Sequence, residues 1–424
     1  NRFNSKVWIK KGGVKMNECK DCNSKCDSKE TKINLPMSQG TTKLPSIIGG
    51  FLNITQRCNL KCKYCFVVQQ PMEMSYQVAQ DAADFYAGNC SSPRDIPSIN
   101  FFGGEPLLRW DDIIVPLTLY IREKYGDKYK LGLTTNGVLL TEEKLEFMKE
   151  NKIGFLFSMD GDKKTQDLNR PLHSGKGTFD LLVEKIPMIL KYNPRATFRA
   201  TIDHDNVWDM AHNYQFAIDM GYDNVFMIPN VFAEWSEEER AELERQSEMV
   251  ADIYIENIKK GIRVEFNQFR DALKRVEQIE AAKGTTDYRT KGVGQPAFGR
   301  CGLGGTRYGS IGATGDVFSC QEMVENPEVG DKFVIGNIYT GISEEKRWGI
   351  MGNFDPRNVI RSDGKTCRGC ELNQVCDGAC SINNYFSTGD LEIMPSILCD
   401  YYNIMIKQHR RIMKELQPMA RKFS

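Results

Sequence analysis

The run Arg57-Cys58-Asn59-Leu60-Lys61-Cys62-Lys63-Tyr64-Cys65-Phe66 holds three cysteines with three and then two residues between them, directly after the β-rich stretch Ile47 to Thr55. Three thiolates converging from one loop can hold three corners of a cubane iron–sulfur cluster, which leaves the fourth iron without a protein ligand. A cluster that only carries electrons is normally closed by four cysteines, so a set of three implies that something else binds the last iron. The competing use of such thiols is zinc, which usually takes its cysteines in CxxC pairs.

Outward from this loop, strand-like and helix-like segments alternate from residue 47 to about 230. Ile47 to Thr55, Ser98 to Phe102, Leu131 to Thr135, Gly154 to Ser158, Ala196 to Ile202 and Asn224 to Ile228 read as strands. A helix is expected from Ser75 to Gly88, and Thr141 reads as an N-cap with Glu142 and Glu143 in the first turn. Six β-α units imply an α/β fold, a parallel sheet covered by helices, with active residues at the C-terminal ends of its strands.

The candidate residues fall at those ends. Phe102-Gly103-Gly104-Glu105-Pro106 follows the second strand; its glycines allow a ligand to approach the backbone closely, and its carboxylate can accept hydrogen bonds from an ammonium. Thr134-Thr135-Asn136-Gly137 follows the third strand, and Ser158-Met159-Asp160-Gly161, with a hydroxyl and a carboxylate suited to ribose hydroxyls, follows the fourth. Each is also what a helix cap or turn looks like.

Taken together, CxxxCxxC and GGEP one β-α unit later resemble the radical S-adenosylmethionine superfamily. The resemblance implies a partial (β/α)6 TIM-type barrel. It also implies that S-adenosylmethionine chelates the open iron held by Cys58, Cys62 and Cys65, and that reductive cleavage gives a 5′-deoxyadenosyl radical. Tyr64 and Phe66 would lie near the adenine, and Gly103, Gly104, Glu105 and Pro106 would hold the amino group. Arg170 lies in a loop, Asp167 to Pro171, resembling the family's stretch after the fourth strand. Arg199 is a candidate for the methionine carboxylate.

The last third carries a second pattern: Cys301, Cys320, Cys367-x2-Cys370-x5-Cys376-x3-Cys380 and Cys399. It resembles the SPASM extension of radical enzymes that modify peptides and proteins. The resemblance assigns Cys367, Cys370, Cys376 and Cys399 to an outer 4Fe-4S cluster and Cys301, Cys320 and Cys380 to an inner one, making three clusters in all. Relatives with a closed inner cluster have a further cysteine just before the first; Gly292 to Arg300 contains none. An open iron there is a Lewis acid that can bind a substrate thiolate. In anaerobic sulfatase-maturing relatives an acid follows the second of these cysteines. Here that position is Gln321, and Glu322, one further along, is expected on the opposite face of an extended chain.

The expected organisation is a polar segment 1–46 carrying Cys19, Cys22 and Cys26, the barrel at 47–232, a helical region at 233–298, the SPASM domain at 299–400 and a C-terminal helix at 401–424. Lys283 to Phe298 reads as the domain boundary. Ser236 and Glu239 form a capping box opening a helix near 237–259, and short strands at Gly309 to Ile311 and Asp316 to Ser319 suit a hairpin.

Lys plus Arg and Asp plus Glu both number 56, giving no electrostatic case for nucleic acid. No apolar run is long enough to span a membrane, and Asn1 to Lys11 lack the apolar core of a signal peptide. A cytoplasmic enzyme is expected, its fourteen cysteines serving metals and not disulfides. The expected activity is thioether crosslinking of a cysteine-containing precursor peptide, with flavodoxin or ferredoxin as the one-electron reductant. Formylglycine formation of the sulfatase-maturing kind, carbon–carbon crosslinking or epimerisation, and a non-enzymatic zinc scaffold are the alternatives.

Overall fold

A computed structural model describes residues 43–282, 301–355, 358–365, 370–374, 376 and 378–420. Cys19, Cys22, Cys26, Cys367 and the boundary expected at Lys283 to Phe298 lie outside the described residues.

Six strands, β1 (Gly49–Thr55), β2 (Ser98–Gly103), β3 (Lys130–Thr135), β4 (Ile153–Ser158), β5 (Phe198–Ile202) and β6 (Asn224–Pro229), stand side by side in chain order, each parallel to the next. This is the partial (β/α)6 TIM-type barrel. Helices α1 (Tyr76–Gly88), α2 (Val115–Tyr125), α3 (Glu142–Glu150), α4 (Lys163–Asn169), α5 (Phe179–Val183), α6 (Ile186–Tyr192) and α7 (Met210–Asp219) fill the crossovers. β1 is buried at all but one position, as a parallel strand covered on both faces must be. Local chemistry sets the helix starts: Ser75 accepts from Val78 N, and Thr141 accepts from Lys144 N.

Past Pro229 the β-α rhythm does not stop, as the sequence pattern suggests. A two-residue strand, β7 (Glu265–Phe266), pairs in parallel with β6 after the long helix α8 (Glu237–Lys259), whose Ser236–Glu239 capping box is formed. Two residues are too few to show a period. α9 (Asn267–Ala282) follows β7.

The other edge of the sheet is extended by the last third of the chain. β8 (Ser310–Ile311) pairs in parallel with β1 through Leu52 and Ile311, and with β9 (Asp316–Phe318) forms the expected hairpin. β10 (Val334–Asn337) and β11 (Gly341–Ile342) continue it antiparallel. The helices α10 (Glu344–Gly352), α11 (Ser381–Thr388) and α12 (Ser396–Ala420) close the fold. α12 lies against α8 and α9, and Arg240 on α8 reaches Asp400 Oδ2 at 2.5 Å. No helix among the described residues is long and apolar enough to cross a membrane.

Candidate active site

The cysteine loop is stitched to the segment after α4. Lys61 N donates to Pro171 O at 2.8 Å, Lys63 N to Asn169 O at 3.0 Å, and Leu60 forms a bridge with Leu172. Cys58 Sγ accepts from Leu60 N at 3.4 Å and from Asn136 Nδ2 at 3.8 Å. Burial pushes the Cys58 thiol up to about 12 and the Cys62 thiol to about 11; the Arg170 guanidinium opposes the rise at Cys62 but does not cancel it. Three crowded thiols of this kind become thiolates only when a cationic metal takes the place of their protons. Among the described residues no three His, Cys, Asp or Glu side chains gather around a point where one ion could sit. A cubane binds each cysteine at a separate corner, whereas a zinc ion takes all its ligands at one point.

Glu105 sits at the end of β2 and is fully buried. Its Oε1 accepts from Leu107 N at 3.0 Å and Thr135 Oγ1 at 2.8 Å, and its Oε2 from Asn136 N at 2.8 Å. Burial raises its carboxyl to about 7 against the pull of those three donors. Asn136 also donates to Asn59 Oδ1 at 2.8 Å, which ties the β3 end to the cysteine loop. Pro106 opens the short turn behind Glu105.

Gly103 and Gly104 are needed first for the chain's own packing. A Cβ on Gly103 would lie 1.9 Å from Thr55 O, and one on Gly104 2.2 Å from Arg57 O. The glycines let β2 approach the chain's own backbone where β1 turns into the cysteine loop. Gly104 N and Glu105 N donate there, to Thr55 O and Arg57 O, both at 2.9 Å.

Asp160, at the end of β4, is also buried, and the chain itself occupies its carboxylate. Tyr64 Oη and Asn169 Nδ2 donate to Oδ2, Thr201 N donates to Oδ1 at 3.0 Å, and Arg170 Nε lies 3.1 Å from Oδ1. Its lone pairs are therefore largely committed to the chain itself. The Arg170 guanidinium also stacks 5.4 Å from the Tyr64 ring centroid. Ser158 lies beside Arg199 in the β4–β5 register. Arg199 donates to Thr201 Oγ1 at 2.7 Å and interacts electrostatically with Glu322.

Tyr64 and Phe66, expected together at one base, part company. Tyr64 turns to Asp160 and Arg170, whereas Phe66 stacks on Phe102 at 6.2 Å between ring centroids. Two residues apart in a turn, side chains need not share a face.

In the last third, the turn at Cys301 touches the segments of both its presumed partners. A Cβ on Gly302 would meet Ile382 at 2.6 Å, beside Cys380, and one on Gly304 would lie 3.8 Å from Ser319, beside Cys320. Cys320 is buried, and its thiol is held well above the usual range by burial and by the charges of Glu322, Cys380 and Cys301. Glu322 corrects the expectation of an opposite face. Cys320 is extended, but Gln321–Met323 form a 3-10 turn, so the alternation of an extended chain does not continue to Glu322. Cys320 Sγ lies 3.4 Å from Gln321 Oε1, and the charge of Glu322 raises both Cys320 and Cys380. Only a strand-ending signal after Cys320 could have revealed this, and the sequence has no proline or glycine there. Of the other set, Cys376 Sγ accepts from Gly378 N at 3.4 Å, and Cys399 is buried on α12 near Arg361; Cys370 lies just before a short turn, Glu371–Gln374.

Residues 52–217 match the Radical SAM superfamily. The chain is 29% identical to Fe-coproporphyrin III synthase of Methanosarcina barkeri over 44% of its length, and spans about half, 47%, of that protein. It is 24% identical to the serine-type anaerobic sulfatase-maturating enzyme of Bacteroides thetaiotaomicron, over 81% of this chain and 85% of that one. Among solved structures, native anSMEcpe with bound AdoMet and Cp18Cys peptide superimposes with a TM-score of 0.67 at 20% identity, covering 88% of this chain and 99% of the other. Streptococcus suis SuiB bound to precursor peptide SuiA gives a TM-score of 0.56 at 17% identity, over 84% and 76% of the two chains. At such identities the structural likeness is one of fold.

Proposed function

We propose that this chain, whose residues 52–217 match the Radical SAM superfamily, is a radical S-adenosylmethionine enzyme that matures a ribosomally made peptide by joining a cysteine sulfur to a peptide carbon. What supports a peptide substrate is that the solved structures sharing its fold include one with a Cp18Cys peptide and one with a precursor peptide. What supports the sulfur chemistry is one observation above all: the turn after Cys301 packs on Ile382 and near Ser319, close in the chain to Cys380 and Cys320, and the sequence from Gly292 to Arg300 offers no fourth cysteine.

In this reading Cys58, Cys62 and Cys65 hold the catalytic cluster and Glu105, through the β2 turn, lies where it can meet the ammonium of S-adenosylmethionine. With both bound and an electron supplied by a flavodoxin- or ferredoxin-type donor, that site supplies a 5′-deoxyadenosyl radical that takes hydrogen from carbon. The chain's own task is orientation. Asn136 donates toward Cys58 and is itself held by Glu105 and Asn59, so the β3 end fixes one thiol relative to the carboxylate. Arg170, paired with Asp160 and covered by Tyr64, keeps a positive charge beside Cys62 and favours its thiolate. Cys301, Cys320 and Cys380 would hold an inner cluster, and Cys367, Cys370, Cys376 and Cys399 an outer one.

The test is product analysis with the small cysteine-rich peptide encoded nearest this gene. A loss of two hydrogens together with loss of an alkylatable thiol supports a thioether. The same mass loss with the thiol intact means carbon–carbon linkage, and an unchanged mass means epimerisation or no reaction. A second reading, formylglycine formation, is favoured by the near full-length similarity to a sulfatase-maturating enzyme. It would give an aldehyde that a hydrazide traps.

A further inference from the structure

Glu322 carries an atom that the fold leaves unexplained. Its Oε2 is sealed from solvent and has no hydrogen-bond partner. A buried carboxylate oxygen without a donor is costly, and in native proteins such a group calls for an explanation: strain, a catalytic role, or a bound water or ion. Glu322 lies in the 3-10 turn Gln321–Met323 directly after Cys320, and the turn after Cys301 packs on Ile382 and near Ser319. The three cysteines would supply thiolates for three irons, and Glu322, two residues after Cys320, would supply an oxygen.

We propose that Glu322 is the fourth protein ligand of the inner iron–sulfur cluster, bound through its carboxylate and displaced by the thiol of the incoming substrate. The proposal rests on the inner cluster of the reading above and adds to it: the open iron is capped at rest, not vacant. Hard oxygen is a poorer partner than thiolate for an iron already bound by sulfur, so the exchange runs toward the substrate. In that exchange one iron–oxygen bond breaks, one iron–sulfur bond forms, the thiol proton passes to buffer, and no electron moves.

The experiment uses the whole reconstituted protein grown with 13C-labelled glutamate and reduced under anaerobic conditions. Pulsed EPR is expected to show a 13C coupling on an auxiliary cluster that Glu322→Gln abolishes while iron stays at about twelve per chain, the count for three 4Fe-4S clusters. Adding β-mercaptoethanol to the unsubstituted protein is expected to remove the same coupling. Twelve irons with no glutamate coupling, or a coupling that survives Glu322→Gln, overturns Glu322 as a ligand and leaves the crosslinking reading standing. An iron count of about four overturns the auxiliary clusters themselves. The label reports on the unsubstituted protein, so the result does not depend on a variant folding; Glu322→Cys, which keeps a ligand in place, is expected to hold its iron and resist displacement by thiol.

Discussion

Glu105 shows how a residue chosen for a ligand is first held by its own chain. Its proton is retained in the fold up to about pH 7 and lost from the unfolded chain near the ordinary 4.5. Between those values the unfolded chain binds fewer protons than the folded one, so this residue's contribution is fully present below 4.5 and is lost as pH rises through about 7. Urea midpoints of the metal-free protein are therefore expected to fall across this window, and the fall to be smaller in Glu105→Gln, which cannot titrate. The buried pair at Asp160 behaves differently. Asp160→Asn leaves Arg170 charged and uncompensated, and is expected to destabilise by about 3–5 kcal/mol in urea denaturation. Replacing both Asp160 and Arg170 by Leu should cost less than the single change, since no orphan charge remains; an equal or larger cost would show that the pair's value lies in its attachment to Tyr64 and Thr201.

At the scale of elements, glycine chemistry separates positions that look alike in sequence. Gly103 has φ +135°, and an added Cβ would strike Thr55 O, so Gly103→Ala must push β2 away from the mouth of the cysteine loop. Gly88, in the last turn of α1, has nothing within 4 Å of such an atom. Gly88→Ala is expected to leave stability unchanged or raise it by up to about 1 kcal/mol, whereas Gly103→Ala should lower both the melting temperature and the iron bound per chain. The six main strands and the helix caps were legible because their signals are local: an apolar run, a Ser or Thr before the first turn, a glutamate three residues on. The purpose of Gly103, the divergence of Tyr64 from Phe66 and the turn at Glu322 were not, because each is decided by a segment distant in sequence or by a 3-10 turn that leaves no compositional mark. The site shows the same division: its cysteines and strand-end motifs could be found from spacing, but the partners that occupy Asp160 and Glu105 could not.

For the molecule as a whole, the joint between the barrel and the last third matters most. β1 is the innermost strand of the sheet's first half and carries the cysteine loop, yet its outer edge is completed only by β8, more than two hundred residues later. Gly50 approaches so closely that a Cβ there would lie 1.8 Å from Gly309 O, and Tyr86 Oη donates to that same carbonyl at 2.5 Å. Arg307 adds an ion pair with buried Asp95 at 2.5 Å, and buried Arg347 reaches Gly304 O at 2.6 Å and Pro45 O at 3.0 Å. Removing this region would bare the edge of a strand that is buried on both faces, an arrangement prone to pair with another chain. A chain ending at Ala282 is therefore expected to aggregate, and the full chain to melt in one transition by calorimetry with no early loss of the C-terminal part. Two separated transitions, or a soluble monomeric barrel from the shortened chain, would show that β8 merely rests on an edge that β1 can do without.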